Sequence, residues 1–167
     1  MKIALAQINP TVGAIDANAQ KVLSFARKAA AAGCDLCVFP ELALTGYPPH
    51  DLLEREAFIS AALEKLNALA ADTAHLNGMG VVIGSILPSV EKSGKPLQNC
   101  AVLLYDGQVL HQQPKTLLPT YDVFDERRYF EPASSVSTVR FKNRTFALTV
   151  CEDIWRVSTG ALYDRDP

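Results

Sequence analysis

A basic excess is missing from this chain: 16 Lys and Arg stand against 18 Asp and Glu in 167 residues, a formal net charge of −2. That composition carries no electrostatic footprint for nucleic acid. Blocks of like charge are also missing, and with them a charged tail or a membrane-surface helix. No apolar run approaches the length of a bilayer span. The N-terminal "MKIALAQINP" has one lysine and then a short apolar run alternating into Gln7 and Asn9, which is a first strand over 2–8 and not a secretory signal. The expectation is a cytoplasmic protein with no membrane and no nucleic-acid partner. A Gly-rich phosphate cradle is absent too, so this chain is not expected to adenylate a substrate. What is present is 49% hydrophobic residues, enough for one domain over residues 1–167 with a core of its own.

Cysteine is scarce but informative. With no export signal, Cys34, Cys37, Cys100 and Cys151 are expected as free thiols. Cys34 and Cys37 form a C-x-x-C, but it runs from a helix end into a strand, whereas a thioredoxin-like motif opens a helix. A zinc site needs a second ligand pair at matching spacing, and there is none. Two small buried hydrophobes are the simpler reading, and no metal is expected.

The chain alternates element types. "AIDANAQKVLSFARKAAAAG" has helical spacing, with Val22, Phe25, Ala26 and Ala29 on one face and Gly33 to end it. "DLCVFP" is a short strand stopped by Pro40, followed by an irregular loop with Gly46 and Pro48-Pro49. Ile59, Ala62, Leu63, Leu66, Leu69 and Ala70 predict a second helix that ends by Gly78. Strands follow at "GVVIGSILP", "NCAVLLY", "QVLHQQP", "SVSTVRF" and "TFALTVC", with Asp106-Gly107 and "KNR" at 142–144 as hairpin turns. Helix–strand units passing into hairpins predict a mixed sheet with helices on an outer face. The final "RVSTGALYDRDP" supplies no closing element, so the domain is expected to continue past Pro167.

Three strand ends carry chemistry. Glu41 follows "CVFP", Lys115 follows "HQQP" and Cys151 follows "FALTV". A carboxylate can take a thiol proton, and an ammonium can stabilise both thiolate and oxyanion. Singly, each is an ordinary solvated cap or an inert thiol. Together they share one local grammar, though periodicity alone does not show that they meet.

"FPELALTGYPPHDLL", "PKTLLPTYDVFDERRYF" and "TVCEDIW" resemble the three catalytic blocks of the nitrilase superfamily of carbon–nitrogen hydrolases, in the same order of Glu, Lys and Cys. The wording within them is most similar to the glutamine-hydrolysing amidase domains of glutamine-dependent NAD synthetases. The resemblance implies an α/β fold, a four-layer α-β-β-α sandwich of the nitrilase type, here stopping just after the nucleophile strand and dimerised through its outer helices. It also implies roles: Glu41 as general base, Lys115 as electrophilic stabiliser and Cys151 as nucleophile. Glu126 falls where the family has a second, supporting glutamate, and the backbone N–H of Glu152 would join Lys115 in holding the oxyanion. Tyr47 and Tyr121 are candidates to line the substrate pocket, the alternative being loop packing with a hydroxyl partner. The acidic side chains of Glu152 and Asp153 are expected to point away from the sulfur, with Lys115 opposing their charge at closer range.

The implied reaction is hydrolysis of the glutamine side-chain amide through a cysteine thioester. The ammonia would pass to a synthetase domain or subunit, not among these residues, that amidates deamido-NAD to NAD. No cofactor is implied for this domain; ATP and Mg belong to the synthetase. Two other readings stay open: a free-standing amidase acting on another small amide, and a non-catalytic partner.

Overall fold

The computed structural model describes residues 1–91 and 93–155; the closing "RVSTGALYDRDP" lies outside them. Five strands form one sheet in the order β1 (Ile3–Leu5), β2 (Leu36–Val38), β3 (Gly80–Pro88), β4 (Leu97–Tyr105) and β5 (Gln108–Pro114). The β1–β2 and β2–β3 pairs are parallel, whereas β3–β4 and β4–β5 are antiparallel. It follows that β2, β3 and β5 run the same way and end at the same edge of the sheet.

One face is covered by α1 (Ile15–Ala31) and α2 (Glu56–Asp72). In α1, Val22, Ala26 and Ala29 are buried as the spacing predicts, while Phe25 is 37% exposed. Its ring sits at the edge of the apolar stripe, under the ammonium of Lys28 at 5.3 Å. Gly33, at φ +69°, closes the helix with a backbone bond to Ala30. Ala62, Leu66, Leu69 and Ala70 of α2 pack on the same core. Period-two alternation assigns the strands' faces: Val81, Ile83, Val102 and Leu104 meet the helices, and Leu36, Val82, Ala101 and Leu103 face the other way.

That second face is partly covered by the hairpin of β6 (Thr138–Phe141) and β7 (Arg144–Ala147), through Phe141, and by Val150. Both two-residue turns, Asp106-Gly107 and Lys142-Asn143, hold positive φ at each position, as the hairpin signals predict. Beside the hairpin, Ile3 and Leu5 of β1 stay 47% and 74% exposed.

Several strand boundaries differ from expectation, among them that of β2, which stops at Val38, two residues before Pro40. The first strand stops at Leu5, although the Ala6 N–H still reaches the Val38 carbonyl. Strand β4 starts at Leu97, two residues before "NCAVLLY". The "SVSTVRF" strand starts only at Thr138, because the buried Gln113 amide takes the Ser135 carbonyl and the Ser137 N–H for itself. "TFALTVC" leaves the ladder after Ala147, and the Val150 N–H goes to the Asp153 carboxylate. Cys34 and Cys37 are free thiols. Burial pushes Cys37 up to about 11, with Cys34 adding to it, so Cys37 behaves as a small hydrophobe.

Candidate active site

Glu41 lies three residues beyond β2, on a turn pressed into the sheet. Leu42, Ala43 and Leu44 beside it are fully buried, and Leu44 N–H bonds the Gly84 carbonyl at 3.2 Å. Gly84 makes this approach possible: a Cβ there would stand 2.2 Å from the Leu42 nitrogen and 2.7 Å from the Pro40 oxygen. Lys115 directly follows β5 and is 1% exposed, with its N–H on the Asn99 carbonyl and its own carbonyl accepting from Ala133. Since β2 and β5 end at the same edge, the two side chains meet. Lys115 Nζ stands 2.7 Å from Glu41 Oε1 and 2.9 Å from Glu126 Oε1.

Glu126 opens α3 (Glu126–Tyr129), buried to 4% exposure, and accepts a further bond from the Tyr47 hydroxyl at 2.8 Å. Burial would push the Lys115 ammonium down, but the Glu41 and Glu126 carboxylates outweigh it and hold Lys115 above its ordinary value. The lysine is therefore charged at neutral pH. Burial raises Glu126 despite the opposing lysine, with the charge of Glu41 adding to the rise.

Cys151 is exposed and sits four residues past β7, so it is not a strand end. It opens a 3-10 turn, Cys151–Ile154, at φ +49°. With Glu41 it lines a cleft of about 230 Å³ whose floor includes Val82, Gly84 and Ala101. Its thiol is raised by loss of solvent and then by the Glu41 charge; Lys115 and the Glu152 backbone N–H pull the other way. Lys115 outweighs the Glu152 carboxylate at the sulfur, as expected, but burial and Glu41 leave the thiol protonated at rest.

The two acids after the cysteine are tied elsewhere. Glu152 is buried and accepts from the Tyr121 hydroxyl, which raises Tyr121 to about 12. Both tyrosine hydroxyls thus have carboxylate partners, and both rings flank Phe124. In the sequence Asp153 counts only as a charge; in the structure it is a tether. Its Oδ1 accepts from Thr116 and Leu117 N–H at 3.0 and 2.8 Å, and Oδ2 accepts from Val150 N–H at 3.0 Å. It joins the lysine's loop to the cysteine's turn. Asn99 reads in the sequence as one more residue of a strand, although an amide in an apolar run that the fold buries fully is itself a signal.

The carbon–nitrogen hydrolase family model matches residues 2–161. The chain belongs to the carbon–nitrogen hydrolase family. It is 46% identical to the glutamine-dependent NAD(+) synthetase of Synechocystis sp. over 92% of its length, and 41% identical to that of Thermotoga maritima over 93%. The chain spans about 28% and 26% of those relatives. Among solved structures, it is similar to glutamine-dependent NAD+ synthetase from Acinetobacter baumannii, with TM-score 0.79, 35% identity, and 92% of this chain covered against 28% of that one. An amidase from Nesterenkonia sp. gives TM-score 0.74 at 27% identity, covering 92% of this chain and 56% of the amidase. A mutant of that amidase carries the acetamide moiety of fluoroacetamide, covalently added at its active site cysteine. The mixed α/β architecture is of the nitrilase type, and among the described residues no helix is long and apolar enough to cross a membrane.

Proposed function

We propose that this chain is the glutamine amidase unit of a glutamine-dependent NAD synthetase. The observation that carries the reading is the buried Lys115 ammonium clamped between Glu41 and Glu126, beside a cleft that Glu41 shares with Cys151. Cys151 attacks the side-chain amide carbon of glutamine while Glu41 takes its proton. The raised thiol supports this order, because a protonated nucleophile needs a base at the moment of attack. The oxyanion leans on Lys115 Nζ and the Glu152 N–H. Glu41 returns the proton to the leaving nitrogen, the C–N bond breaks and ammonia departs. Water, deprotonated by Glu41, then hydrolyses the thioester to release glutamate and restore the thiol. Tyr47 and Tyr121 line the approach through their rings.

The ammonia goes to a synthetase domain or subunit that amidates deamido-NAD. ATP and Mg act there, and this unit itself works without a cofactor, in the cytoplasm and as a homo-oligomer. The likeness to a Nesterenkonia amidase favours a second reading, in which another small amide is the substrate. Ammonia release from glutamine against a panel of other ω-amides decides between them. Preference for glutamine, abolished by Cys151→Ala, is expected; preference for another amide would replace this reading with the second.

A further inference from the structure

We infer that Asn99 is a positioning residue for the base, holding Glu41 so that its Oε2 is the oxygen that receives the Cys151 proton. The inference rests on the amidase reading above.

Two donors converge on one oxygen of Glu41: Asn99 Nδ2 at 2.6 Å and Lys115 Nζ at 2.7 Å, both on Oε1. Among the described residues no hydrogen bond reaches Oε2. An oxygen that already accepts from an ammonium and an amide is a poor proton acceptor, so the free one takes that part. Asn99 also acts on the other members of the cluster. Its carbonyl accepts the Lys115 N–H at 2.7 Å, and its Nδ2 reaches Glu126 Oε2 at 3.4 Å. One residue of β4, opposite Ile86 in the register, thereby holds the lysine by its backbone and the base by its side chain.

The residue type fits this task and no simpler one. A cation at 99 would compete with Lys115 for both carboxylates, and a carboxylate would repel them. An amide donates without charge. Its Oδ1 is buried without a partner. An apolar side chain of the same shape would avoid that unmet acceptor, so packing alone does not account for an asparagine here.

The test uses Asn99→Leu and the isosteric Asn99→Asp, with ammonia release measured on glutamine and on the best alternative amide. Asn99→Leu is expected to fold, as judged by circular dichroism and thermal unfolding. Its kcat should fall roughly 10- to 100-fold, as for a misplaced catalytic group, with KM changed less than about threefold. Asn99→Asp donates only when protonated, so its kcat relative to wild type should recover as pH falls, while the leucine ratio stays flat. The charged groups around position 99 are Glu41, Glu126 and Lys115, and all are common to both variants. A structure of Asn99→Leu should show the Glu41 carboxylate turned from its wild-type orientation. Unchanged kcat, or an unmoved Glu41, overturns the inference while leaving the amidase reading intact. Absence of ammonia release from either amide by the wild-type protein overturns both.

Discussion

The two faces of the five-stranded sheet are built to different standards. On the helix side, Val81, Ile83, Cys100, Val102 and Leu104 are all at or below 2% exposure beneath α1 and α2. On the other side, Leu36, Val82, Ala101 and Leu103 are covered by a four-residue-stranded hairpin and Val150, and the neighbouring Leu5 is 74% exposed. The candidate site divides the same way. Lys115, Glu126 and Asn99 are buried, each held by several bonds from regular elements. Cys151 rides an exposed turn, joined to them through Asp153 and through the Glu152–Tyr121 pair. The base and lysine therefore inherit their geometry from the core, while the thiol owes its geometry to two buried carboxylates.

The largest expected effect tests the buried half. If Lys115 only neutralises carboxylates, Lys115→Arg should change little. If it donates to an oxyanion, a planar guanidinium does not fit the place of a compact ammonium. Ammonia release from glutamine should then drop by about 10²–10³, or roughly 3–4 kcal/mol of barrier. The fold should remain, and synthesis from free ammonia by the proposed synthetase partner should survive. Near-wild-type release in the arginine variant would remove the lysine from the mechanism.

Truncations on the two faces come next. Leu66→Ala, on the helix side, should cost about 2–5 kcal/mol in denaturant unfolding. Leu5→Ser, on the open side, should stay within about 0.5 kcal/mol. Equal losses would mean that the open face is closed in solution by something the described residues lack.

The tether ranks third. Asp153→Asn turns one acceptor into a donor facing a backbone N–H, which should cost about 1–3 kcal/mol. It should also slow ammonia release from amide more than it changes alkylation of Cys151 by iodoacetamide, because the thiol stays exposed while its place relative to Lys115 is lost. Wild-type turnover in a destabilised Asp153→Asn protein would reduce this residue to a packing role.

The smallest effect is a shift along the pH axis. Because Cys151 is held above the ordinary thiol value of about 8.5, its alkylation should rise through a midpoint above that pH. Glu41→Gln removes a negative charge that favours the thiol, so the midpoint should move down. An upward or absent shift, followed by mass spectrometry at Cys151, would mean that the sulfur does not feel Glu41.

Much of this was readable from the chain. Both helices, the Asp106-Gly107 and Lys142-Asn143 turns and the strands on either side of them follow from periodicity and turn chemistry. Lys115 could be picked out because it directly follows a strand that ends on Pro114, and Glu41 because it follows Pro40, although β2 itself stops at Val38 and leaves Glu41 on a turn. The Cys151 context differs from the strand end that the sequence predicts: β7 stops at Ala147, and the cysteine stands on a turn. A strand prediction counts apolar residues and does not see that Asp153 will claim the Val150 N–H. Asn99 and the tethering part of Asp153 were illegible for a related reason, since their partners lie 58 and 37 residues away.

What the sequence by itself determined is the set of reacting groups and the local elements that carry them, because side-chain chemistry and 3.6- or 2-residue periodicity are properties of neighbours in the chain. What only the tertiary structure decided is their mutual state. Strand order and direction bring the ends of β2 and β5 to one edge. Two carboxylates at hydrogen-bond distance keep Lys115 charged against its burial, and loss of solvent with Glu41 nearby keeps Cys151 protonated. Charge interactions and desolvation depend on distance in space, and that distance exists only once the sheet has formed.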